Sequence, residues 1–595
     1  MNVRVKSFML LVLIVWGGVV VSAQSLNDFQ SVVEVRNLER KADYSQSDEV
    51  YMPEPQFAYV NLTGFSSMPT SKQTTVKGWM EMYDGGGRYF QKRVTLSGQG
   101  GSSLRYAKKN FVCHFCDENW NEENTPDFYI GDWVRQDAFH FKAFYTDYFR
   151  GIGEIGYKVF DMIVADREPY WERGGYSKES KARCFPDGFP CAVYLNGKFY
   201  GVFAWQLKKH RRNMNQEKEV AEHIHLDGNL ADNNIFKGTV LWNQFEVRTP
   251  QTLYSNNGQL YDGNSPRELI DEKSASYNKS GDSQQVKEAK EVTSKVKKYI
   301  VQMSNYWREI EQKEKAGVSE AVLKMEIERR WDIGSLLDYY VFFYLSANGD
   351  GSLKNWQWFT YDGTKWFVTP YDLDQTFGIN LYGVIRPAAH RFSDLTTGAF
   401  HWLHKYYQTE IRARYGELRE SRAIDAESII DIIDDWYDRV GEDFYMLEME
   451  KWADSPCYSD AICNAGWEVC EEWERYDMFE EYSPTVMYHA GDICKLEGRL
   501  WKATANVINV KPYKRNSNLD SIDRLRNWVT ERIDYLDDYF AYVPEGNAVA
   551  DVEQRTERRL IGIYTMSGMK VDAPVRGVNI YKYSDGTTKK VFVDN

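Results

Sequence analysis

The chain has 595 residues, more than one hydrophobic core usually holds, so at least two globular units are expected. Its net charge of −14 disfavours general attachment to nucleic acid or to anionic membrane, because polyanions are repelled. Aromatic residues make up 15%, with 19 Trp and 41 Tyr, enough to fill large cores and also to stack on sugars or bases.

Arg4 and Lys6 precede an apolar run over 8–21, and Val21-Ser22-Ala23 puts small residues where a signal peptidase reads. Cleavage after Ala23 is expected, which makes 1–23 a signal peptide and the protein secreted or surface-displayed. A retained membrane anchor is the alternative reading. The run is short for a bilayer, however, and no later stretch is long and apolar enough to span one.

Residues 24–75 carry Pro53, Pro55 and Pro69 among polar residues and read as an extended lead-in. Residues 76–215 read as a small sheet-rich lobe. Alternating segments at 76–82 and 91–96 flank a turn at 84–87, a helix is expected over 150–164, and a hairpin over 192–206 turns at Asn196-Gly197. Residues 216–545 are mostly helical, with charged-faced helices over 284–315 and 319–330 and an apolar helix over 332–345. A hairpin follows (356–361 and 366–369), then helices through 400–415, 425–450 and 520–540. Residues 546–595 form a polar linker and three short strands. The predicted fold class is α+β: a small β-rich N-lobe, a larger helical C-lobe and a short β tail, the order found in two-lobed kinases.

Eight cysteines are present. Cys113-x-x-Cys116 hints at zinc or redox chemistry but lacks a matching second pair. In an exported chain local disulfides are the expected use. Cys184 with Cys191 would staple the loop around Pro186, Gly188 and Pro190, while Cys457, Cys463, Cys470 and Cys494 would pin an insertion over 455–515.

Phosphoryl transfer needs a carboxylate to orient the attacking hydroxyl, an amide and a carboxylate to hold metal, and a lysine with backbone amides to hold the phosphates. The segment Asn348-Gly349-Asp350-Gly351-Ser352-Leu353-Lys354-Asn355 offers Asp350 five residues before Asn355, on a loop between an apolar helix and a strand. The next hairpin delivers Asp372 and Asp374 at a strand end. Singly, each is most simply a turn former; the order of the set is what carries the chemistry.

The segment 332–378, ending Thr369-Pro370-Tyr371-Asp372-Leu373-Asp374-Gln375-Thr376-Phe377-Gly378, resembles the CotH kinase family, an atypical kinase group named for a spore coat protein. Gly98-Gln99-Gly100-Gly101-Ser102-Ser103, then Lys108-Lys109-Asn110, is similar to its Gly-Asn-Ser-Ser and Lys-Lys segment. Val193-Tyr194-Leu195-Asn196-Gly197 with Tyr200-Gly201-Val202-Phe203 is similar to its strand pair. The resemblance runs over about 76–540. It implies that Asp350 is the catalytic base and that Asn355 and Asp372 are metal ligands, with Asp374 on a second metal or orienting Asp372. It further implies that Lys109 (or Lys108) contacts the phosphates and that the loop from Gly98 through Gly100, Gly101, Ser102 and Ser103 offers them backbone N–H groups. Lys142 falls near the expected interlobe cleft, with an ordinary salt bridge as the equal alternative. Gln206 stands where many members carry Glu and supplies only a neutral dipole there.

The implied cofactors are ATP and Mg²⁺ or Mn²⁺, and the implied acceptors are hydroxyl side chains of secreted or surface proteins. A non-catalytic adhesin or glycan-associated protein on the same scaffold is the competing reading. Sugar hydrolysis by Asp372 and Asp374 ranks below both, since residues two apart on a strand flank a glycosidic bond poorly. Residues 482–513 resemble a short chitin-binding module, which implies a sugar platform made by Tyr488 and Trp501. The alternative buries Trp501 in the segment's own core. The tail over 546–595 resembles the C-terminal sorting modules of exported Bacteroidetes proteins.

Overall fold

The computed structural model describes residues 23–122, 126–228, 233–242, 245–250, 252–255, 267–271, 274–278, 284–352, 355–379, 387–389, 394–455, 457, 466–470, 478–496, 499–512 and 518–543, with parts of 560–593. The expected leader over 1–22 lies outside them. Among the described residues no helix is long and apolar enough to cross a membrane. The chain divides into two compact units, 1–540 and 541–595.

The fold class is α+β and two-lobed. In the first lobe seven strands close on themselves in the order Arg88–Gln99, Thr75–Tyr83, Ala58–Thr63, Gly188–Leu195, Lys198–Leu207, Ala138–Lys142, Asn110–Phe115, and the last pairs back to the first. Closure leaves no open edge among them. Strand alternation sends one face inward. Phe139 and Phe141 join Phe111, Phe115, Phe189, Phe203 and Trp205 in the barrel interior, while His140 and Lys142, at the alternate positions, face outward. The segment expected to be an extended lead-in supplies the barrel strand Ala58–Thr63, which runs parallel to Gly188–Leu195. The hairpin between Gly188–Leu195 and Lys198–Leu207 turns at Asn196 and Gly197, both at positive φ.

The second lobe holds the helices Gln284–Lys315, Glu320–Arg330, Ile333–Ser346, Ala399–Tyr406, Gln408–Glu420, Ala426–Val440, Glu442–Lys451 and Asn518–Phe540. Asp332 caps the apolar helix Ile333–Ser346 by accepting from Ser335 N–H at 2.7 Å. A four-stranded sheet runs in the order Phe245–Thr249, Ile224–Gly228, Trp356–Thr360, Trp366–Pro370, and its last two strands are the hairpin expected over 356–369. The tail unit is a four-stranded antiparallel sheet of Lys570–Val571, Leu560–Thr565, Gly577–Tyr583 and Thr588–Val593.

Two expectations are overturned. None of the seven described cysteines is joined in a disulfide, and Cys463 lies outside the described residues. Cys191 points into the barrel with Phe189 and Phe203. Cys184 packs in a separate cluster with Tyr170, Trp171 and Phe367, its thiol 3.6 Å from the Tyr361 hydroxyl. The two thiols serve different cores, so the loop is not stapled. In the insertion, Trp501 and Tyr488 are turned into a small core with Trp467, Cys494 and Val507. Neither presents a ring face on which a sugar could stack.

A buried ion cluster ties the lobes together. Lys108 Nζ and Arg150 Nε each lie 2.7 Å from Glu448 Oε1, on the helix Glu442–Lys451, and Glu448 Oε2 accepts from Val202 N–H of the barrel at 2.7 Å. All three side chains are fully buried. Burial draws the Lys108 ammonium down to about 8 against the pull of Glu448. Removing the carboxylate that the two buried cations share is expected to destabilise the first unit by about 3–5 kcal/mol in urea unfolding of Glu448→Ala. A loss below about 1 kcal/mol would contradict this assignment.

Candidate functional site

The candidate site is built where the outward face of the barrel meets the hairpin of Trp356–Thr360 and Trp366–Pro370. Lys142 ends the strand Ala138–Lys142, and its ammonium lies 3.0 Å from Asp372 Oδ1. The lysine side chain is 5% exposed and that of the aspartate 36%, so the pair has one buried and one accessible end. Burial works against the Lys142 charge, but Asp372, and beyond it Tyr371 and Asp374, hold its pKa above the usual lysine value.

Asp372 is fixed from the other side by the helix Ile152–Val164. Its N–H donates to the Tyr157 hydroxyl at 2.9 Å. The helix comes close because it carries glycine on that face: a Cβ on Gly156 would lie 2.9 Å from Leu373 Cδ1. Asp147 accepts from Gly151 and Ile152 N–H at 2.7 Å and so anchors the helix start. Asp372 itself sits at φ 53 and Asn355 at φ 62, left-handed conformations that non-glycine residues adopt at some cost.

The loop that carries Asp350 follows Ile333–Ser346. Asp350 Oδ2 accepts from Asn355 Nδ2 and from Gln375 Nε2, each at 3.0 Å. Tyr339 donates to Gly351 O at 2.9 Å, and Thr397 Oγ1 donates to Ser352 O at 2.5 Å. Asn355 O accepts from Tyr371 N–H at 3.0 Å, which joins the loop to the Asp372 turn. Asp350, Asn355, Gln375 and Asp372 therefore belong to one connected, half-buried constellation. Leu353 and Lys354 lie outside the described residues.

The remaining sequence candidates divide. Lys108 is enclosed in the buried Glu448 cluster. Lys109 donates to Leu104 O at 2.8 Å and to Tyr106 O, so its charge pins the turn Ser102–Arg105. The loop around Gly98, Gly100, Gly101, Ser102 and Ser103 approaches the site through Asn110. That residue contacts Ser103 Oγ at 3.4 Å and accepts from Ala143 N–H at 2.7 Å, one residue beyond Lys142. Gln206 stands directly opposite His140 on the outward barrel face. It donates to Glu154 Oε1 at 2.5 Å. Asp374 joins the electrostatic field around Lys142.

Glu154 was missing from the sequence reading. It lies on Ile152–Val164, three residues before Tyr157, and is fully buried. Its Oε2 lacks a hydrogen-bond partner, and a Cβ on Gly188 would lie 2.6 Å from it. The sequence offered one signal, an acidic residue in the apolar first turn of a helix. Burial, with Asp187 adding to it, pushes the Glu154 carboxyl up to about 8.

The donor set combines the carboxylates of Asp350 and Asp372 with the amide of Asn355, the hard oxygen chemistry that Mg²⁺ or Mn²⁺ takes alongside phosphate oxygens. Among the described residues no three His, Cys, Asp or Glu side chains group so as to hold a metal on their own. A cavity of about 680 Å³ lies on the barrel flank around Tyr51, Tyr129 and Arg135 and shares no residue with this constellation.

From about pH 4.5 to about pH 8 the folded chain holds a proton on Glu154 that the unfolded chain releases, so this group lowers stability as pH rises. Glu154→Gln removes that dependence. The unfolding midpoint of the variant relative to wild type is expected to climb across this window. A constant offset at every pH would contradict the buried, proton-holding carboxyl.

With this geometry in place, comparison with known proteins gives one family. Residues 98–460 match the family model described as CotH kinase protein, more than half of the 595-residue chain, and the chain belongs to that family. No curated protein matches it.

Proposed function

We propose that this CotH-family chain is an exported, metal-dependent kinase that transfers the γ-phosphate of ATP to hydroxyl side chains of secreted or surface proteins. The observation that carries the reading is the Asp350 carboxylate, held by the amides of Asn355 and Gln375 beside the Lys142–Asp372 pair. In this reading Asp350 is the base. Two amide donors fix the orientation of its carboxylate, which takes the acceptor hydroxyl's proton as the oxygen attacks phosphorus.

Lys142 is assigned to the nucleotide phosphates, in preference to Lys108 or Lys109, whose ammonium groups are engaged elsewhere. The loop 98–103 supplies backbone N–H groups. Asn355 and Asp372 would hold a divalent cation, with Asp374 supporting, and the cation would neutralise phosphate charge. Gln206 does not leave the site short of a carboxylate, because its amide is the partner of Glu154.

Asp350→Asn is expected to lower transfer of labelled γ-phosphate by about 10²–10⁴-fold while leaving nucleotide affinity nearly unchanged, since its interaction belongs mainly to the transition state. Asp372→Asn is expected to abolish transfer and to weaken nucleotide binding in the presence of Mg²⁺ strongly. Calorimetry with ATP beside the transfer assay separates the two roles. Wild type that neither binds nucleotide nor transfers phosphate with any divalent metal would leave the non-catalytic surface protein as the reading.

A further inference from the structure

Strand pairing builds an aromatic platform on the flank of the barrel. Glu49–Met52 and Asp127–Ile130 run parallel, and Tyr51 stands directly opposite Tyr129. Their neighbours Val50, Met52, Phe128 and Ile130 enter the barrel core, so alternation turns both tyrosines outward. The two rings stack, with centroids 4.6 Å apart and planes 5° from parallel. The Tyr51 hydroxyl donates to Glu49 Oε2 at 2.9 Å, which fixes the tip of its ring. Each ring shields one face of the other, yet Tyr51 remains 48% exposed. A flat aromatic surface left open in this way takes the apolar face of a sugar ring or of another planar group.

The platform belongs to the wall of the flank cavity, whose volume of about 680 Å³ suits a small ligand. Trp133, in the same wall, is held by donating Nε1–H to Asp187 at 2.8 Å and by stacking on Phe189, so this side is preformed. The wall also carries three cations, Arg88, Arg135 and Lys181, and among the described residues no carboxylate lines it. Arg135 Nη1 lies 2.7 Å from Asp127, and Arg88 Nη1 lies 3.6 Å from Asp84. Each contact commits one nitrogen and leaves the rest of the guanidinium fork to meet a ligand carboxylate.

We propose that this cavity binds a short acidic saccharide. A pyranose ring packs its face on the outer side of the Tyr51–Tyr129 pair, and its carboxylate meets the cations of the wall. Ser180 and Tyr44 add hydroxyls for those of the sugar. A bare anion would use the cations alone and an apolar ligand the rings alone, whereas a uronate uses both. The chain's net charge of −14 repels a long polyanion, which restricts the ligand to a short one. The cavity shares no residue with the Asp350–Asp372 constellation, so the inference stands apart from the kinase reading.

The test is calorimetry on the full chain with digalacturonate and dimannuronate as probes and neutral galactobiose as the control. Wild type is expected to bind at least one uronate disaccharide about tenfold or more tightly than galactobiose, with an affinity that falls as salt is raised. Tyr51→Ala and Lys181→Gln are surface substitutions, and each is expected to lower that affinity about tenfold with the unfolding midpoint unchanged. Failure of both uronates to bind overturns the proposal. So does equal affinity for galactobiose, or uronate binding untouched by both substitutions. A glutamate-rich peptide that binds more tightly than either uronate and is lost in the same variants makes the cavity a protein-docking site, which also overturns it.

Discussion

The contact between Lys142 and Asp372 is the constraint around which the rest of the cleft is arranged. A lysine 5% exposed keeps its charge only with a carboxylate beside it. The barrel supplies the cation at the end of an inner-pleated strand, and the helical lobe supplies the anion at the end of a hairpin. The helix Ile152–Val164 brings them into register, with Tyr157 on the Asp372 amide and Gly156 against Leu373. Asp350 is then positioned through Asn355, whose carbonyl accepts from Tyr371 N–H.

Which lysine reaches the cleft is decided by strand parity. Phe139 and Phe141 fill the barrel, so His140 and Lys142 stand outside it, on the face shared with Gln206 and covered by Glu154. Lys108 lies close by, its ammonium 3.4 Å from the Ala143 carbonyl, but it is enclosed by Glu448 and Arg150. One buried lysine thus joins the lobes permanently, and the other meets a carboxylate that is still accessible. The Glu448 cluster is a structural joint, and the proposed chemistry lies at the Asp372 contact.

Much of the helical lobe and of the helix, loop and hairpin around Asp350 was legible because their signals are local. The spacing of Asp350 and Asn355, the apolar helix before them and the hairpin ending at Asp372 all fall within about fifty residues. The barrel strand Ala58–Thr63 was not legible. It sits between proline-bearing segments, and its parallel partner begins at Gly188, far along the chain. Glu154 finds its partner Gln206 only after folding brings a distant strand to the helix. The Cys184–Cys191 pairing failed because closeness in sequence does not say which core a side chain enters. Trp501 could not be assigned to a surface or an interior by residue type alone, and the structure buries it.

The central claim is that Lys142 is the lysine that meets the phosphates. An acyl-phosphate derivative of ATP, which acylates a lysine held against the phosphate tail, tests it directly when the modified peptide is identified by mass spectrometry. The account predicts acylation of Lys142 that excess ATP with Mg²⁺ suppresses, and no ATP-suppressible acylation of Lys108 or Lys109. Suppressible labelling at Lys108 or Lys109 with Lys142 unmodified would contradict it.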